Sequence, residues 1–307
     1  MNIITDTDFK LNTPSAVTIG KFDGIHRGHR ELLDRILEKK SQGLNATVFT
    51  FDKSPAEFFS GNPIPSLTTK EEKRRIFDFL GVDTLIEYPL TKESAAVSPE
   101  DYINNILCKQ INMKYIAAGT DLSYAHMGRG DAKLLMQLSN GRYDVEIVNK
   151  ITIDNEEVSS SLIRDVVSVG NMEKAEKLIG VPYAVSGIVS HGRALGRKMG
   201  FPTVNIEVSS EKLMPPYGVY FAEVSVDGEH YNGITNIGCK PTVTDSKTVF
   251  AETNIFDFDD DIYGKRITVK LLKFARPEQK FNSVDELKER ISIDIKEGRN
   301  YFNEKKH

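Results

Sequence analysis

Two cysteines in 307 residues, Cys108 and Cys239, are too few for a disulfide scaffold, and neither sits in a Cys-x-x-Cys pair. A reducing, cytoplasmic setting is therefore expected. The chain also has no excess of basic residues. Its 40 Lys and Arg stand against 44 Asp and Glu, with a pI near 5.9, so no extended nucleic-acid-binding face is expected. A local basic pocket for phosphate is still allowed. No apolar run approaches the roughly 20 residues that a membrane helix requires. Residues Met1 to Lys10 carry no basic patch followed by an apolar stretch, so no signal peptide is expected either. Internal repeats and low-complexity tracts are missing. His126, His191, His230 and His307 are scattered without metal-ligand spacing. Cys108 falls among apolar residues of a helical pattern and reads as packing.

What remains is an ordinary globular composition, 39% hydrophobic and 27% charged, long enough for two domains. The first half alternates strand-like runs (Ala16–Ile19, Ala46–Phe51, Thr84–Glu87, Lys114–Ala118, Val145–Val148) with helical patterns. One helix begins near Gly28 with Leu32, Leu33, Ile36 and Leu37 on one face, another around Thr69. A third begins at Ser98-Pro99, where Ser98 can cap and Pro99 fits the first turn. This alternation predicts a parallel sheet with helices on both faces and a ligand beyond the carboxyl ends of its strands. Two more helices are expected at about Ser160–Val169 and Asn171–Ile179, then a joint at Gly180-Val181-Pro182.

After the joint the texture changes. Val185–Val189, Val219–Val226, Tyr231–Ile237, Thr248–Ile255 and Arg266–Phe274 are separated by Gly, Pro, Asp and Asn clusters, which predicts an antiparallel sheet or barrel. The acidic cluster at Asp257 and Asp259–Asp261 lacks the spacing of a calcium loop and reads as a hairpin turn. Ser283-Val284-Asp285-Glu286 has the spacing of a capping box and starts a closing helix. The expected division is residues 1–181 and 182–307.

Three segments carry chemistry. Gly20-Lys21-Phe22-Asp23-Gly24-Ile25-His26-Arg27-Gly28-His29 follows the first strand and opens the first long helix. Gly20 and Gly24 permit a sharp turn, and His26 and His29 at a helix N-terminus suit an anion such as a triphosphate. Ser159-Ser160-Ser161-Leu162-Ile163-Arg164 offers hydroxyls and a guanidinium at another helix start; read alone, such serines are most often caps. Gly192-Arg193-Ala194-Leu195-Gly196-Arg197-Lys198-Met199-Gly200-Phe201-Pro202-Thr203-Val204-Asn205 is a cationic, glycine-rich loop suited to phosphate but without the ending of a Walker A motif, and composition alone favours a basic surface loop between strands.

Together these segments resemble the bacterial bifunctional riboflavin kinase/FMN adenylyltransferase (FAD synthetase) family. The family's Gly-x-Phe-Asp-Gly-x-His-x-Gly-His pattern stands at Gly20 to His29, its Ser-Ser-Thr-x-x-Arg pattern at Ser159 to Arg164 with Ser161 for threonine, and its Gly-Arg-x-x-Gly-Phe-Pro-Thr-x-Asn pattern at Gly196 to Asn205. Further likenesses are Leu67-Thr68-Thr69 through Lys73, Asn236-Ile237-Gly238, and Arg276-Pro277-Glu278; in all the resemblance runs from about Val17 to Asp294. It implies a Rossmann-like nucleotidyltransferase domain followed by a β-barrel kinase domain with a C-terminal helix. It also implies a soluble enzyme that makes FMN from riboflavin and then FAD, with ATP and Mg²⁺.

The resemblance implies catalytic roles for His26, His29 and Arg164 in the first reaction centre and for Glu252, as a base, in the second. It implies nucleotide-binding roles for Gly20, Phe22, Asp23, Gly24, Gly28, Asp121, Ser159, Ser160, Ser161, Gly192, Gly196, Arg197, Gly200 and Pro202, and Mg²⁺ ligation by Thr203 and Asn205. Two loops depart from the family pattern, Gly119-Thr120-Asp121-Leu122-Ser123-Tyr124-Ala125 and Asp52-Lys53-Ser54-Pro55, and both are expected near ligand. A chain with only the kinase half fully active, or a flavin-binding regulator without turnover, are the alternatives that share these features. Oligomeric state is not legible.

Overall fold

The computed structural model describes residues 1–190, 200–241 and 247–305. They fall into two compact units, one of Met1–Ile64 with Thr68–Ser160, the other of Pro65–Leu67 with Ser161–His307.

The strands of the first unit are β1 (Asn2–Ile4), β2 (Ser15–Ile19), β3 (Asn45–Phe51), β4 (Thr84–Tyr88), β5 (Met113–Gly119), the short antiparallel pair β6 (Ser123–Tyr124) and β7 (Gly130–Asp131), and β8 (Asp144–Val148). A further antiparallel pair joins β9 (Thr152–Ile153) to β10 (Glu156–Glu157). Six strands form one parallel sheet in the order β1-β4-β3-β2-β5-β8. Every residue of β2 and β4 is buried, as a strand covered on both faces requires, which is why these runs read as continuous rather than alternating. Helix α1 (Arg27–Glu38) buries Leu32, Leu33 and Ile36 on one side of the sheet with Val48 and Phe77; Tyr102, Ile103, Ile106 and Leu107 pack on the other.

From β2 the chain runs outward through β3 and β4, whereas β5 lies on the opposite side of β2. The carboxyl ends of β2 and β5 therefore flank a topological switch point, the place where an open α/β sheet leaves a crevice. The predicted strands all occur; β1, an edge strand of three residues, is too short to show a pattern. The helix predicted at Ser98 forms with Ser98 as its cap, but after Pro99–Asp101 it continues as a π-helix over Tyr102–Gln110. Its wider i→i+5 ladder ends where Ile111 N–H meets the Ile106 carbonyl at 2.9 Å.

The second unit opens with helices Ser160–Ser168 and Met172–Ile179 and continues as a closed barrel. Its strands are β11 (Tyr183–Ser190), β12 (Val204–Glu207), β13 (Gly218–Val226), β14 (Glu229–Pro241), β15 (Lys247–Ile255) and β16 (Arg266–Pro277), in the order β11-β12-β15-β14-β13-β16 with β16 back on β11. Asp227 and Gly228, both at positive φ, make the two-residue hairpin between β13 and β14. The closing helix, Val284–Glu304, lays Phe302 on an outer apolar patch with Val219, Phe221, Ile234, Phe256 and Leu272.

Three details correct the sequence reading. Strand β12 begins at Val204 and takes in Asn205, the end of the stretch read as a loop. The acidic Asp257–Asp261 segment is not a hairpin turn, because β15 and β16 are not neighbours in the barrel; it crosses between them. The Ser283 hydroxyl does accept from Glu286 N–H at 3.1 Å, but the Glu286 carboxylate reaches the Asn282 N–H at 2.7 Å, one residue early for a reciprocal box.

The closing helix is tied to the barrel by a buried carboxylate. Asp294 accepts from Arg276 at 2.6 and 2.9 Å and from Arg290 at 2.9 Å. Its side chain is 2% exposed and that of Arg276 12%. Asp294→Ala strands the Arg276 guanidinium in this site, and the expected loss is about 3–5 kcal/mol, read as a lower guanidinium midpoint for the unit that carries the helix.

Candidate active sites

The turn after β2 is pinned from below. Phe22 and Ile25 adopt left-handed φ values of 50° and 40°, with Gly24 at 86°. For an aromatic and a β-branched residue such backbone is costly and persists only where surroundings enforce it. Here both side chains are inside the core, Phe22 edge-on to Phe77 at 5.6 Å. With those anchors buried, the polar residues of the turn are left at the carboxyl end of β2.

Helix α1 starts at the end of this turn with His26 as its cap, the Nδ1 accepting from the His29 N–H at 3.4 Å. An acceptor Nδ1 puts the proton of His26 on Nε2. The two imidazoles stack, centroids 3.7 Å apart and planes 19° from parallel, and His29 leans on Phe22 at 5.1 Å. Burial pushes the His26 pKa down to about 4 against the upward pull of Asp23 and Asp121. Burial, His26 and Lys73 hold His29 well below the ordinary imidazole range. Both rings are therefore neutral at neutral pH, and the buried His29 Nδ1 has no hydrogen-bond partner. The site offers neutral imidazole N–H donors at a helix N-terminus rather than two imidazolium charges.

The neighbours of the pair come from several elements. The Asp23 carboxylate accepts from the Thr68 N–H at 3.4 Å, and its carbonyl from the Ser160 hydroxyl at 2.8 Å. Asp121, just past β5, is close enough for its charge to act on His26, as the switch point predicts, and Lys150 sits 3.6 Å from it. Gly20 and Gly28 leave room for the Phe22 and His26 rings, since a Cβ at either would lie 3.2–3.3 Å from them. Ser159 precedes the helix that Ser160 and Ser161 begin. Arg164, in the second unit, donates to the Pro65 carbonyl at 2.7 Å. The departing loop keeps an aromatic: Tyr124 is buried against Tyr102, centroids 5.3 Å apart.

The sequence reading included Lys73 in a family likeness but gave it no role at the site. Its charge acts on His29 and its Nζ reaches the Lys21 carbonyl at 3.5 Å. The signal was present: Lys73 lies one turn past the Thr69 cap of helix Lys70–Leu80, whose full capping box with Glu72 fixes that turn.

In the barrel, Asn205 is the register partner of Glu252, and Glu252 that of Asn236. Directly opposed residues of antiparallel strands share a face, so the three side chains follow one another across β12, β15 and β14. Asn205 is buried and Glu252 half-buried. Pro202, Thr203 and Asn205 line a cavity of about 90 Å³ that Thr253, Asp260 and Tyr263 also border. Gly200 is left-handed at φ 88°, and the Pro202 carbonyl accepts from Asn254 at 2.7 Å. Gly192, Gly196 and Arg197 lie outside the described residues. Thr203 and Asn205 both line the cavity and carry neutral side-chain oxygens, a set that fits a hard cation arriving with phosphates.

Two family models match separate segments of the chain. The riboflavin kinase family model matches residues 179–302 and the FAD synthetase model residues 8–162. A bifunctional riboflavin kinase/FMN adenylyltransferase of Bacillus subtilis is 35% identical over 295 residues, 94% of this chain and 92% of its own. The Escherichia coli protein of the same name is 36% identical over 291 residues, 93% of this chain and 92% of its own. A solved Streptococcus pneumoniae structure, named a macrolide-efflux protein, superposes with a TM-score of 0.85 at 30% identity, over 97% of this chain and 98% of its own. Among the described residues no helix is long and apolar enough to cross a membrane.

The buried imidazoles give stability a pH dependence of definite sign. His26 binds its proton near pH 4 in the folded chain and near 6.5 when unfolded, so between these values the unfolded state holds more protons. Stability from this group is complete above pH 6.5 and falls as pH drops toward 4, by up to about 3 kcal/mol. In His26→Asn, urea unfolding from pH 7 to 4 is expected to show a shallower loss than the parent.

Proposed function

The chain belongs to the bifunctional riboflavin kinase/FMN adenylyltransferase family, and we propose how its two sites divide the work. It phosphorylates riboflavin with ATP to FMN, then adenylylates FMN to FAD with release of pyrophosphate. We assign adenylylation to residues 1–181 and phosphorylation to 182–307. The low cysteine content, Cys108 and Cys239 in 307 residues, supports a reducing cytoplasmic setting.

In the kinase half, the Glu252 carboxylate takes the proton of the riboflavin 5′-hydroxyl as that oxygen bonds to the γ-phosphorus and the bond to ADP breaks. Thr203 and Asn205 would hold Mg²⁺ and the ATP phosphates, and the ion, when bound, would neutralise charge on the phosphoryl oxygens. Gly200 and Pro202 shape the backbone beside them, and Gly192, Gly196 and Arg197 are assigned to the same nucleotide. The observation that carries this assignment is the register that sets Asn205 against Glu252.

In the adenylyltransferase half, an oxygen of the FMN phosphate attacks the α-phosphorus and pyrophosphate leaves. His26 and His29 donate N–H groups to the phosphate oxygens as charge shifts, and the α1 N-terminus adds backbone donors. Lys73 supplies fixed positive charge, and the segment Ser159, Ser160, Ser161 and Arg164 is assigned hydroxyl and guanidinium donors for phosphate. Gly20, Phe22, Asp23, Gly24, Gly28 and Asp121 form the walls of that nucleotide site.

Purified protein with riboflavin, ATP and Mg²⁺ is expected to accumulate FMN and then FAD on chromatography; neither product appearing would end this reading. His29→Ala should slow FAD formation from FMN by roughly 10²–10³ and leave FMN formation intact. Glu252→Ala should slow FMN formation by roughly 10²–10⁴ and leave FAD formation from added FMN intact. A single substitution that removes both reactions speaks against separate sites.

A further inference from the structure

Strand β16 ends on a clamped pair of residues. Arg276 is the register partner of Val219 and Pro277 that of Gly218, while the Arg276 guanidinium is held by buried Asp294 and also donates to the Pro277 carbonyl at 3.0 Å. Glu278 therefore leaves the barrel from a fixed point. Its carboxylate turns back over β14, where Oε1 accepts from the Asn236 Nδ2 at 3.4 Å. The same oxygen fills the space above Gly238: a Cβ added there would come within 2.2 Å of it. Gly238 does not need a left-handed backbone, so what its missing side chain provides is room for this carboxylate. Asn236 is the register partner of Glu252. The assigned chemistry uses neither Asn236 nor Glu278, and an exposed glutamate needs no glycine cleared beneath it for stability.

We propose that Glu278 is a positioning residue of the kinase reaction: it fixes the Asn236 carboxamide beside Glu252, so that Asn205, Glu252 and Asn236 together hold the polyol chain whose terminal hydroxyl is phosphorylated. This rests on the reading of Glu252 as the base. A polyol presents several hydroxyls, each donor and acceptor, and adjacent strands about 4.8 Å apart present side chains at a spacing that a short extended polyol spans. An amide anchored through one N–H keeps its other N–H and its oxygen in fixed directions, whereas an unanchored one samples both flips. Glu278 itself moves no proton and touches no phosphate.

Steady-state kinetics of the full chain with riboflavin and Mg²⁺-ATP test this. Glu278→Ala is expected to raise the KM for riboflavin about tenfold or more, the effect of losing a hydrogen bond to a charged group, with the KM for ATP and the FMN-to-FAD rate unchanged. Gly238→Ala should raise the riboflavin KM in the same direction, because the new methyl displaces the carboxylate. Glu278→Gln, which keeps an acceptor oxygen, should recover most of the affinity. A parental riboflavin KM in Glu278→Ala overturns the inference and leaves the Glu252 assignment standing. A joint rise in both KM values with a lower melting temperature overturns it in favour of a structural role. Undiminished phosphorylation by Glu252→Gln removes the base assignment and this inference with it.

Discussion

Because side chains alternate across a strand, the parallel register of β2 with β5 and the antiparallel register of β12 with β15 decide which polar residues of this chain meet a ligand and which meet a core. In the first unit, the pairing of β2 with β5 brings the ends of both strands to one crevice, so the turn at Gly20–His29 and the loop at Asp121 share it although almost a hundred residues separate them. In the second, a one-residue slip of β12 would replace Asn205 at the Glu252 position by an apolar neighbour. The neighbouring register of β15 with β14 is pinned from the other face: Thr253 and Thr235 are wholly buried and bonded hydroxyl to hydroxyl at 2.8 Å.

Electrostatics in the first unit follow from burial more than from charge count. A pair of stacked imidazoles at 3.7 Å cannot both ionise cheaply, and desolvation settles them as neutral donors. Fixed charge must come from elsewhere, and helix Lys70–Leu80 is oriented to bring it. Arg74 and Lys70 both bond Glu87, a 3% exposed carboxylate on β4; burial pushes its pKa up, but the two cations outweigh burial and hold it low. Residues 70 and 74 lie on one helix face, so their attachment to β4 sets the rotation of the helix, and the capping box at Thr69 and Glu72 sets its start. Lys73 is then turned toward Lys21 and His29. The ion pairs at Glu87 thus aim a neighbouring lysine at the histidine pair.

Much of this was legible in the sequence because local rules and the global fold agree. Ser98-Pro99 and Ser283 cap as their spacing predicts, and the fully buried strands appear where apolar runs lie between helical patterns. The positions of His26 and His29 follow from a glycine-rich turn between strand and helix. What was not legible depends on partners distant in the chain. The π-helix at Tyr102–Gln110 keeps an apolar pattern that a sequence cannot distinguish from an α-helix. β12 is four residues long and gains its strand character only from pairing with β11 and β15. The acidic Asp257–Asp261 run has turn composition, but barrel order makes it a crossing rather than a hairpin. The opposition of Asn205 and Glu252 is a matter of register, and no local pattern encodes it.

The different residue content of the two sites has a chemical reason. The kinase acceptor is an alcohol, whose proton must leave as the new bond to phosphorus forms; the base proposed above to answer that need, Glu252, stands on the strand beside Asn205. The adenylyltransferase acceptor is a phosphate monoester, already anionic at neutral pH with a second pKa near 6. It requires no base. Its demand is for donors that tolerate negative charge on both attacking and leaving groups, and neutral imidazole N–H groups at a helix N-terminus meet it without repelling one another. On the proposed assignment, neutral histidines in one unit and a glutamate in the other answer the different needs of the two nucleophiles, the first at a helix tip and the second on a barrel strand.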